Sequence, residues 1–449
     1  MKLSDIRTTL REIRVSPVKT LGQNFLHDQN VARWIVDQAQ ITSDDYVLEI
    51  GPGLGALTKL LLEKGARVLA IEKDTRLANF LREHLPHERL EILNMDALKF
   101  DARILFSHRR VKVLGNLPYN ISSALLFKFL ANPSPISLWL FTLQKEMAAR
   151  LSANPSTHDY GALTLRVQLR HHVKYLRTVS ASVFLPRPEV DSAVVRILPR
   201  DPWELPPHDE ELLLELIRLG FSQRRKQLRK LLRERVDDWD AFARDVKIDP
   251  KARAEELSLR QWVDLVNFIA PPPCPDTGLT KSERFPVVDK SDRILRDAPR
   301  SQVHGNNLLH RAVHIFIFNP DGELYLQQRS RWKDRHPLKW DSSAAGHVTA
   351  AESYDETAQR ELNEELGISV SLSKIAKLSA SECTDYEFVW LYRGEVTGHL
   401  SPNRSEIETG AFFPENMIDG WVSARPEDFA PGFIKCWKVY RQKSRSGPT

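Results

Sequence analysis

The stretch Tyr46-Val47-Leu48-Glu49-Ile50-Gly51-Pro52-Gly53-Leu54-Gly55 decides how the first part of this chain folds. A short apolar run is typical of a buried strand, and the glycines after it allow a tight turn that can approach a nucleotide-like ligand closely. On its own the motif is not specific, because many enzymes that bind dinucleotides share it. The alternative is a glycine-rich turn that binds no ligand. The residues downstream are needed to distinguish the two interpretations.

Two further apolar runs, 67–71 and 111–115, alternate with helical patterns downstream of this motif. Such alternation predicts a mostly parallel α/β sheet with helices on both faces. Polar side chains follow two of the strands. Glu72 is placed to accept hydrogen bonds from ribose hydroxyls. The third strand ends at Asn94-Met95-Asp96-Ala97, where Asp96 could accept from the amino group of a cofactor adenine or could cap a helix.

The motif Asn116-Leu117-Pro118-Tyr119 ends the fourth strand and is the most specific element. The lone pair of an exocyclic adenine amine is delocalised into the ring, which makes this nitrogen a poor nucleophile. The Asn116 side-chain carbonyl and a backbone carbonyl at Leu117 or Pro118 could hold the two amine hydrogens and favour a tetrahedral nitrogen. Tyr119 could stack on an extruded base. The motif therefore predicts an in-line methyl transfer driven by positioning and electrostatics.

These motifs resemble the KsgA family of small-subunit ribosomal RNA adenine dimethyltransferases, and the resemblance extends over about residues 15–268. Further matching segments are 21–26 (LGQNFL), 143–146 (LQKE), 184–192 (FLPRPEVDS), 221–226 (FSQRRK) and 254–258 (AEELS). Several ungapped motifs in the same order make the resemblance specific.

The resemblance implies S-adenosyl-L-methionine as the cofactor and two adjacent N6-dimethylated adenines near the 3′ end of 16S rRNA as the product, made on an immature 30S-type subunit. It implies that Phe184 stacks on the target base opposite Tyr119. It places these residues at the cofactor or the methyl-transfer site: Asn24, Leu26, Gly51, Gly53, Glu72, Asp96 and Asn116. The resistance branch that methylates large-subunit rRNA is an alternative, although 190–192 and 221–226 favour the small subunit.

Basic residues are concentrated in the first part of the chain, which favours a polyanionic partner there. The formal net charge is +5, and residues 1–270 hold 41 Lys and Arg against 34 Asp and Glu, whereas residues 271–449 hold 23 against 25. A basic run usually forms a solvated helix face, but beside a predicted RNA modifier it predicts phosphate contacts. The candidates are Arg224, Arg225, Lys226 and Arg229. A ribosome-assembly factor that docks on immature subunits is another interpretation.

A second motif lies beyond a proline-rich stretch at 270–276. Gly346 is followed by Glu352 and then by Arg360-Glu361-Leu362-Asn363-Glu364-Glu365-Leu366-Gly367-Ile368, with intervals of five and seven residues. This matches every defined position of the Nudix signature, G-x5-E-x7-R-E-U-x-E-E-x-G-U with U aliphatic.

The acidic residues of this motif predict a metal site on a helix over about 356–366 that ends at Gly367. Glu361, Glu364 and Glu365 share one helix face and would repel one another unless cations lay between them. Such an oxygen-rich site suits Mg²⁺ (or Mn²⁺), which neutralises a diphosphate and activates a water molecule. Glu361 is the catalytic candidate. A nucleotide sensor without catalysis is the alternative.

The flanking residues 340–347 (WDSSAAGH) resemble the Nudix branch related to isopentenyl-diphosphate isomerase, over about residues 285–440. The isomerase's catalytic cysteine is expected upstream of the Nudix helix, where 342–344 (SSA) stand instead. We therefore favour hydrolysis of a nucleoside diphosphate or another small-molecule diphosphate over isomerisation. Glu406 or Glu408 could supply a further ligand or base. His347 could bind metal or be structural.

The predicted fold class is α/β: a Rossmann-like S-adenosylmethionine methyltransferase with a small helical appendix, followed by an α/β/α sandwich Nudix domain. The predicted boundaries are 1–204 for the methyltransferase domain, 205–269 for an RNA-binding helical appendix, 270–284 for the linker and 285–449 for the Nudix domain. The three cysteines are scattered, and neither a signal-peptide core nor an apolar run of ~18 residues is present. We expect a cytoplasmic protein with no membrane partner.

Overall fold

The computed structural model describes residues 3–15, 23–119, 121–272 and 283–445. It divides the chain into two compact units, and the boundary between them follows Pro272. Most of the predicted linker 270–284 lies outside the described residues, as do Leu21 and Gly22 of the LGQNFL motif. No helix within the described ranges has the length and apolarity that a membrane crossing requires.

The described residues of the first unit form nine strands. They are β1 (Phe25–Leu26), β2 (Tyr46–Ile50), β3 (Arg67–Glu72), β4 (Leu90–Asn94), β5 (Val111–Asn116), β6 (Ile136–Gln144), β7 (His171–Val179), β8 (Phe184–Leu185) and β9 (Ser192–Pro199). Seven of them form one sheet in the order β4-β3-β2-β5-β6-β9-β7. The first five strands in this order, β4, β3, β2, β5 and β6, are parallel to one another. Strand β9 runs antiparallel to both β6 and β7.

Helices cover both faces of this sheet. They are α1 (Leu3–Glu12), α2 (Gln29–Gln38), α3 (Thr58–Glu63), α4 (Thr75–His84), α5 (Ser122–Phe129), α6 (Lys145–Leu151) and α7 (Ala162–Gln168). Successive strand residues point to opposite faces, so Val113 belongs to one apolar cluster and its neighbour Leu114 to the other. The predicted doubly covered parallel sheet is confirmed.

The order of the central strands indicates at which edge of the sheet a ligand is expected to bind. β2 lies between β3 and β5, with Ile50 opposite Ile71 on one side and Gly115 on the other. In an open parallel sheet, ligands bind beyond the carboxyl ends of the strands where the chain order reverses. The glycine-rich loop and Asn116 both follow strands that end at this edge.

The end of the first unit is helical, with α8 (Glu210–Gly220), α9 (Leu228–Leu231), α10 (Trp239–Val246) and α11 (Leu259–Ile269). Their apolar core surrounds the fully buried Trp262 and also includes Tyr160 and Leu165 from the preceding segment. The helical character of this part agrees with the sequence pattern. Its boundary at residue 204 stays a prediction.

The second unit has a hairpin, β10 (Arg284–Val288) and β11 (Ile294–Pro299), and a seven-stranded mixed sheet. The sheet strands are β12 (His310–Phe318), β13 (Leu324–Arg329), β14 (Trp340–Asp341), β15 (Ala344–His347), β16 (Ser373–Leu378), β17 (Glu387–Glu395) and β18 (Ile407–Phe413). β12 pairs with β13, β15 and β17, the last in parallel; β13 also pairs with β14 and β18, and β16 with β17.

The helices of the second unit are α12 (Arg300–Gly305), α13 (Tyr354–Leu366), α14 (Glu415–Ala424) and α15 (Pro431–Arg445). Helix α13 buries Leu362 against one face of the sheet, and α15 buries Trp437 on the other. This confirms the predicted α/β/α layering. The predicted C-terminal cap of α13 is also present, since Gly367 has φ +65° and donates to the Asn363 carbonyl.

We expect Gly220→Ala to destabilise the first unit by about 1–3 kcal/mol, because inserted atoms in a packed core force side chains off their rotamers. A Cβ at Gly220 would lie 2.6 Å from the Trp262 ring and 2.8 Å from a Leu228 methyl group. Urea unfolding is the measurement. Gly305→Ala, at the end of another helix with nothing within 4 Å, is the control. Equal effects of both changes would contradict this packing argument.

Candidate functional site

A cavity of about 320 Å³ opens at the carboxyl ends of β2 and β5. Its wall includes six predicted residues: Asn24, Leu26, Gly51, Gly53, Asn116 and Phe184. Gly51 and Gly53 have φ values of +66° and +58°, which side-chain-bearing residues rarely adopt. A Cβ at Gly53 would also lie 3.0 Å from the Phe25 ring. The loop geometry therefore depends on glycine.

The side chain of Asn116 is held in one orientation. Its Nδ2 donates to the Asn24 carbonyl at 2.8 Å. Because a carbonyl can only accept, the amide nitrogen must face Asn24, and Oδ1 is left as the acceptor. The Leu117 amide donates to the Thr142 carbonyl at 3.1 Å, while the Pro118 carbonyl accepts from Ile121. Of the two predicted backbone acceptors, the geometry favours Leu117.

The two predicted aromatic residues, Phe184 and Tyr119, are each held by a contact with a neighbouring strand. Leu26 of β1 pairs with Phe184 of β8, which seats the buried Phe184 ring in the cavity wall. The Tyr119 hydroxyl shares a hydrogen bond of 2.5 Å with Ser192 Oγ. Burial raises the pKa of Tyr119, so this ring is neutral and suited to stacking.

Glu72 and Asp96 lie near the loop but are not among the residues that line this cavity. Glu72 accepts from the backbone amides of Gly53 at 3.1 Å and Asp74 at 2.9 Å, so it fixes the loop. Asp96 accepts from Lys73 at 2.8 Å and caps a short helical turn through the Leu98 amide. Their predicted cofactor contacts stay predictions.

The predicted RNA-binding residues divide into two groups. Arg224 donates to the His158 carbonyl at 2.7 Å and pairs with Glu255 at 3.2 Å, so its guanidinium joins two segments of the unit. Arg225 and Lys226 are exposed. Arg229 is also exposed and lies 3.8 Å from the Asp240 carboxylate. All four residues are exposed. Because the Arg224 guanidinium is tied to two segments of its own unit, the other three are the better candidates for phosphate contacts, which stay a prediction.

In the second unit, Arg360 organises the acidic face of helix α13. Its Nε and Nη2 bind Glu352 at 2.9 and 3.0 Å, and its Nη1 reaches Glu361 at 2.9 Å and Glu364 at 3.0 Å. A Cβ at Gly346 would collide with the Glu361 carboxylate, which explains why the motif needs glycine there.

Glu365 is buried and the Glu361 side chain is only 13% exposed. Burial raises the pKa of each carboxyl group, that of Glu361 to about 8. The Glu365 carboxylate also raises the pKa of Glu361, and Glu406 raises that of Glu365. Glu365 accepts from Gln327 Nε2 at 2.8 Å, and its other oxygen lies 3.6 Å from the Lys333 ammonium. Oxygen donors that resist ionisation in this way fit a divalent cation, which would favour their charged form.

These carboxylates line a cavity of about 720 Å³. Glu406 lines it too and forms an ion pair with Lys333, whereas Glu408 pairs with Arg331 and does not line the cavity. Of the two predicted candidates for a further ligand, the geometry favours Glu406.

A group of three histidines includes two that line the same cavity, His304 and His347, and the buried His310 beside them. The Nδ1–H of His310 donates to the Leu308 carbonyl at 2.8 Å, and the Nδ1–H of His304 donates to Asp334 at 3.0 Å. In both rings Nδ1 is engaged, so Nε2 is the nitrogen available to a metal ion, which is how proteins commonly orient metal-binding imidazoles.

His347 completes this group. Its Nε2 lies 3.3 Å from Nε2 of His304 and 3.1 Å from a carboxylate oxygen of Glu387. One ligand atom each of His304, His310 and His347 all fall within 4.8 Å of one another. Burial lowers the pKa of His347 to about 3, so its ring is neutral. These nitrogens could hold a metal ion, and both predicted roles of His347 stay open.

Comparison with known proteins identifies a family model for each of the two units. Residues 17–271 match the family model described as ribosomal RNA adenine dimethylase, and residues 308–432 match the NUDIX domain model. The first match covers more than half of the chain. The chain belongs to the ribosomal RNA adenine dimethylase family. It is an rRNA methyltransferase that also carries a Nudix hydrolase domain.

Known relatives match the first unit of this chain. The chain is 42% identical over 263 residues to ribosomal RNA small subunit methyltransferase A of Chlorobium phaeobacteroides, and the match covers 59% of this chain and 97% of that protein. It is 40% identical over 264 residues to the protein of the same name from Bacillus mycoides, covering 56% and 90%. A dimethyladenosine transferase structure from Plasmodium falciparum is 27% identical, covers 54% and 95%, and has a TM-score of 0.45.

One residue of the dimethylase site was not predicted from its motif. Glu49 lines the cavity and is buried, and burial raises the pKa of its carboxyl group to about 7. Within the described residues, its Oε2 has no hydrogen-bond partner. A buried carboxylate with one oxygen left without a partner fits the cationic amino group of S-adenosylmethionine. The signal was present in the sequence, as one acidic residue inside an apolar strand.

We expect Glu49→Gln to stabilise the cofactor-free dimethylase at pH 8 but not at pH 5. The folded wild-type protein keeps the Glu49 proton up to pH about 7, whereas the unfolded chain releases it near pH 4.5. Stability is therefore lost as pH rises between these values, by on the order of 3 kcal/mol.

The measurement is the unfolding midpoint of the first unit as a function of pH. The transition of this unit is recognised as the one that S-adenosylmethionine shifts. Glu63→Gln, on the exposed side of α3, is the control. A Glu49→Gln protein with the pH dependence of the wild type would show that burial of this carboxylate has no cost.

Proposed function

We propose that the first unit dimethylates two adjacent adenines at N6, near the 3′ end of 16S rRNA in an immature small subunit, with S-adenosylmethionine as the methyl donor. The curated relatives are named as small-subunit methyltransferases and are 42% and 40% identical to this chain. The observation that carries the chemical part of this proposal is the fixed orientation of the Asn116 amide.

The residues of the site would act on the adenine amine by holding it. The Asn116 Oδ1 and the Leu117 carbonyl accept its two hydrogens, which draws the nitrogen lone pair out of conjugation and directs it into the cavity. Bound S-adenosylmethionine supplies an electrophilic methyl group on a sulfonium. Phe184 and Tyr119 fix the plane of the extruded base. No strong base is required, because the methylated amine becomes more acidic and loses its proton to water.

The exposed Arg225, Lys226 and Arg229 would bind the rRNA backbone. Their contacts position the RNA without reading its sequence, so they should contribute affinity that decreases with salt.

Asn116→Ala should lower methyl transfer by about 10²–10³-fold, since a preorganised acceptor is lost. The assay uses labelled S-adenosylmethionine and immature small subunits from a methylation-deficient strain, with dimethyladenosine analysed in the digested rRNA. Asn79→Ala, which changes an exposed asparagine on α4, should leave the rate unchanged.

Three results of this assay would correct the proposal. Label in large-subunit RNA instead would make that RNA the substrate and would assign the enzyme to the resistance branch. No label in either RNA would favour an assembly factor. A fully active Asn116→Ala protein would remove the amide from the mechanism.

We further propose that the second unit hydrolyses a small-molecule diphosphate with Mg²⁺ held by Glu361, Glu364 and Glu365. The support is the ion-pair network of Arg360, which orients two of these carboxylates toward a cavity that also contains the cationic Lys333. Bound Mg²⁺ would neutralise the diphosphate and lower the pKa of a water molecule. The alternative is a nucleotide sensor, which binds the same ligand without turnover.

Glu365→Gln should reduce Mg²⁺-dependent hydrolysis by at least about 10²-fold, because one charged ligand is removed. The measurement is release of phosphate products from a panel of nucleoside and other diphosphates. Glu395→Gln, on the exposed end of β17, is the control. Methyl transfer should be unaffected in both variants. Ligand binding without turnover by the wild-type protein would favour the sensor.

A further inference from the structure

Lys333 is a buried cation among the carboxylates of the second unit. Its ammonium lies 3.6 Å from Oε1 of Glu365 and forms an ion pair with Oε2 of Glu406. Only 19% of its side chain is exposed. Burial disfavours its charge, but these two carboxylates raise the pKa of Lys333, so the ammonium is retained.

The backbone builds this arrangement. The Ser330 amide donates to the Glu406 carbonyl at 2.9 Å, and the Lys333 amide donates to the Ser330 carbonyl at 3.2 Å. The Asn403 amide donates to the Glu365 carbonyl at 2.8 Å. The turn that carries Lys333 and the loop that carries Glu406 are thereby tied to the end of α13.

The other cationic side chains near Glu365 form ion pairs with other carboxylates. Arg360 pairs with Glu361 and Glu364, and Arg329 pairs with Asp341 at 2.9 Å. Glu365 shares hydrogen bonds with neutral groups only, from Gln327 and the Ala345 amide. Since a buried carboxylate needs a compensating charge, Lys333 provides the charge compensation for Glu365 and Glu406.

We propose that Lys333 is an exchangeable counter-ion: its ammonium and a divalent metal ion compete for the carboxylates of Glu365 and Glu406. The inference rests on the proposed Mg²⁺-dependent function of this unit. A lysine suits exchange because its ammonium is a compact charge on a flexible four-carbon chain, whereas an arginine would hold a carboxylate in a rigid fork. A displaced ammonium stays in the same cavity, where it would meet the anionic diphosphate.

The first test is titration of the full-length protein with Mn²⁺, followed by the electron paramagnetic resonance signal of the free ion. Lys333→Met removes the competing charge and keeps most of the volume, so Mn²⁺ should bind at least about tenfold more tightly. Lys333→Arg keeps the charge and should bind no more tightly than the wild type. The titration is run at the same pH for every protein, because proton binding to Glu361, whose pKa burial raises, would otherwise contribute to the difference.

The matched control is Lys339→Met. The Lys339 ammonium donates to the Glu427 carbonyl and does not line the cavity, so Mn²⁺ affinity should be unchanged. A folded Lys333→Met protein that binds Mn²⁺ as the wild type does, or more weakly, would overturn the exchange. Absence of Mn²⁺ binding in every protein, the wild type included, would instead overturn the proposed metal-dependent function.

A second measurement needs no variant. The wild-type protein is treated briefly with acetic anhydride, with and without Mg²⁺, and acetylation of each lysine is quantified by mass spectrometry. If the metal releases the ammonium from its carboxylates, acetylation of Lys333 should rise several-fold with Mg²⁺ while that of Lys339 stays constant. Equal protection of Lys333 in both conditions would overturn the proposal.

Discussion

The need to compensate buried carboxylates is the physical constraint on which both sites depend. An ionised carboxylate loses several kcal/mol of hydration when it leaves water, and it persists only where hydrogen bonds or cations replace that hydration. Glu49 and Glu72 lie at the edge of the first sheet, and Glu361 and Glu365 lie on the Nudix helix. Glu72 has its compensation within the chain, whereas Glu49 keeps one oxygen without a hydrogen-bond partner among the described residues.

The two units meet the constraint in different ways. In the first unit, Glu72 is satisfied by the backbone amides of Gly53, in the glycine-rich loop, and of Asp74, so a charge requirement becomes a means of fixing loop geometry. In the second unit, arginine and lysine side chains supply the compensation, and Arg360 alone contacts three glutamates. Amides give a rigid surface suited to an extended organic cofactor. A lysine on a flexible chain, unlike the arginine fork, gives a charge that the proposed metal could displace.

Local patterns predicted the parts of the fold that local physics controls. The apolar run at 46–50 became β2 with those bounds, and the helix expected over 356–366 became Tyr354–Leu366 with its Gly367 cap. By contrast, β16 and β18 have no clear alternation of buried and exposed residues, because each is only partly covered. Their place in the sheet comes from pairing with β17 and β13, which a sequence pattern does not contain.

The same distinction separates the parts of the site that were predictable from those that were not. Sequence motifs identified which chemical groups are present, and Asn116 is the plainest example. They did not identify its orientation, because the carbonyl that fixes the amide belongs to Asn24, 92 residues earlier in the chain. Lys333 was missed for a related reason, since its carboxylate partners Glu365 and Glu406 lie 32 and 73 residues further along. An ammonium in a basic loop looks like a solvated surface charge until the fold supplies its acids. Residue chemistry is thus encoded locally, whereas the partner that decides what a polar group can do is a property of the tertiary structure.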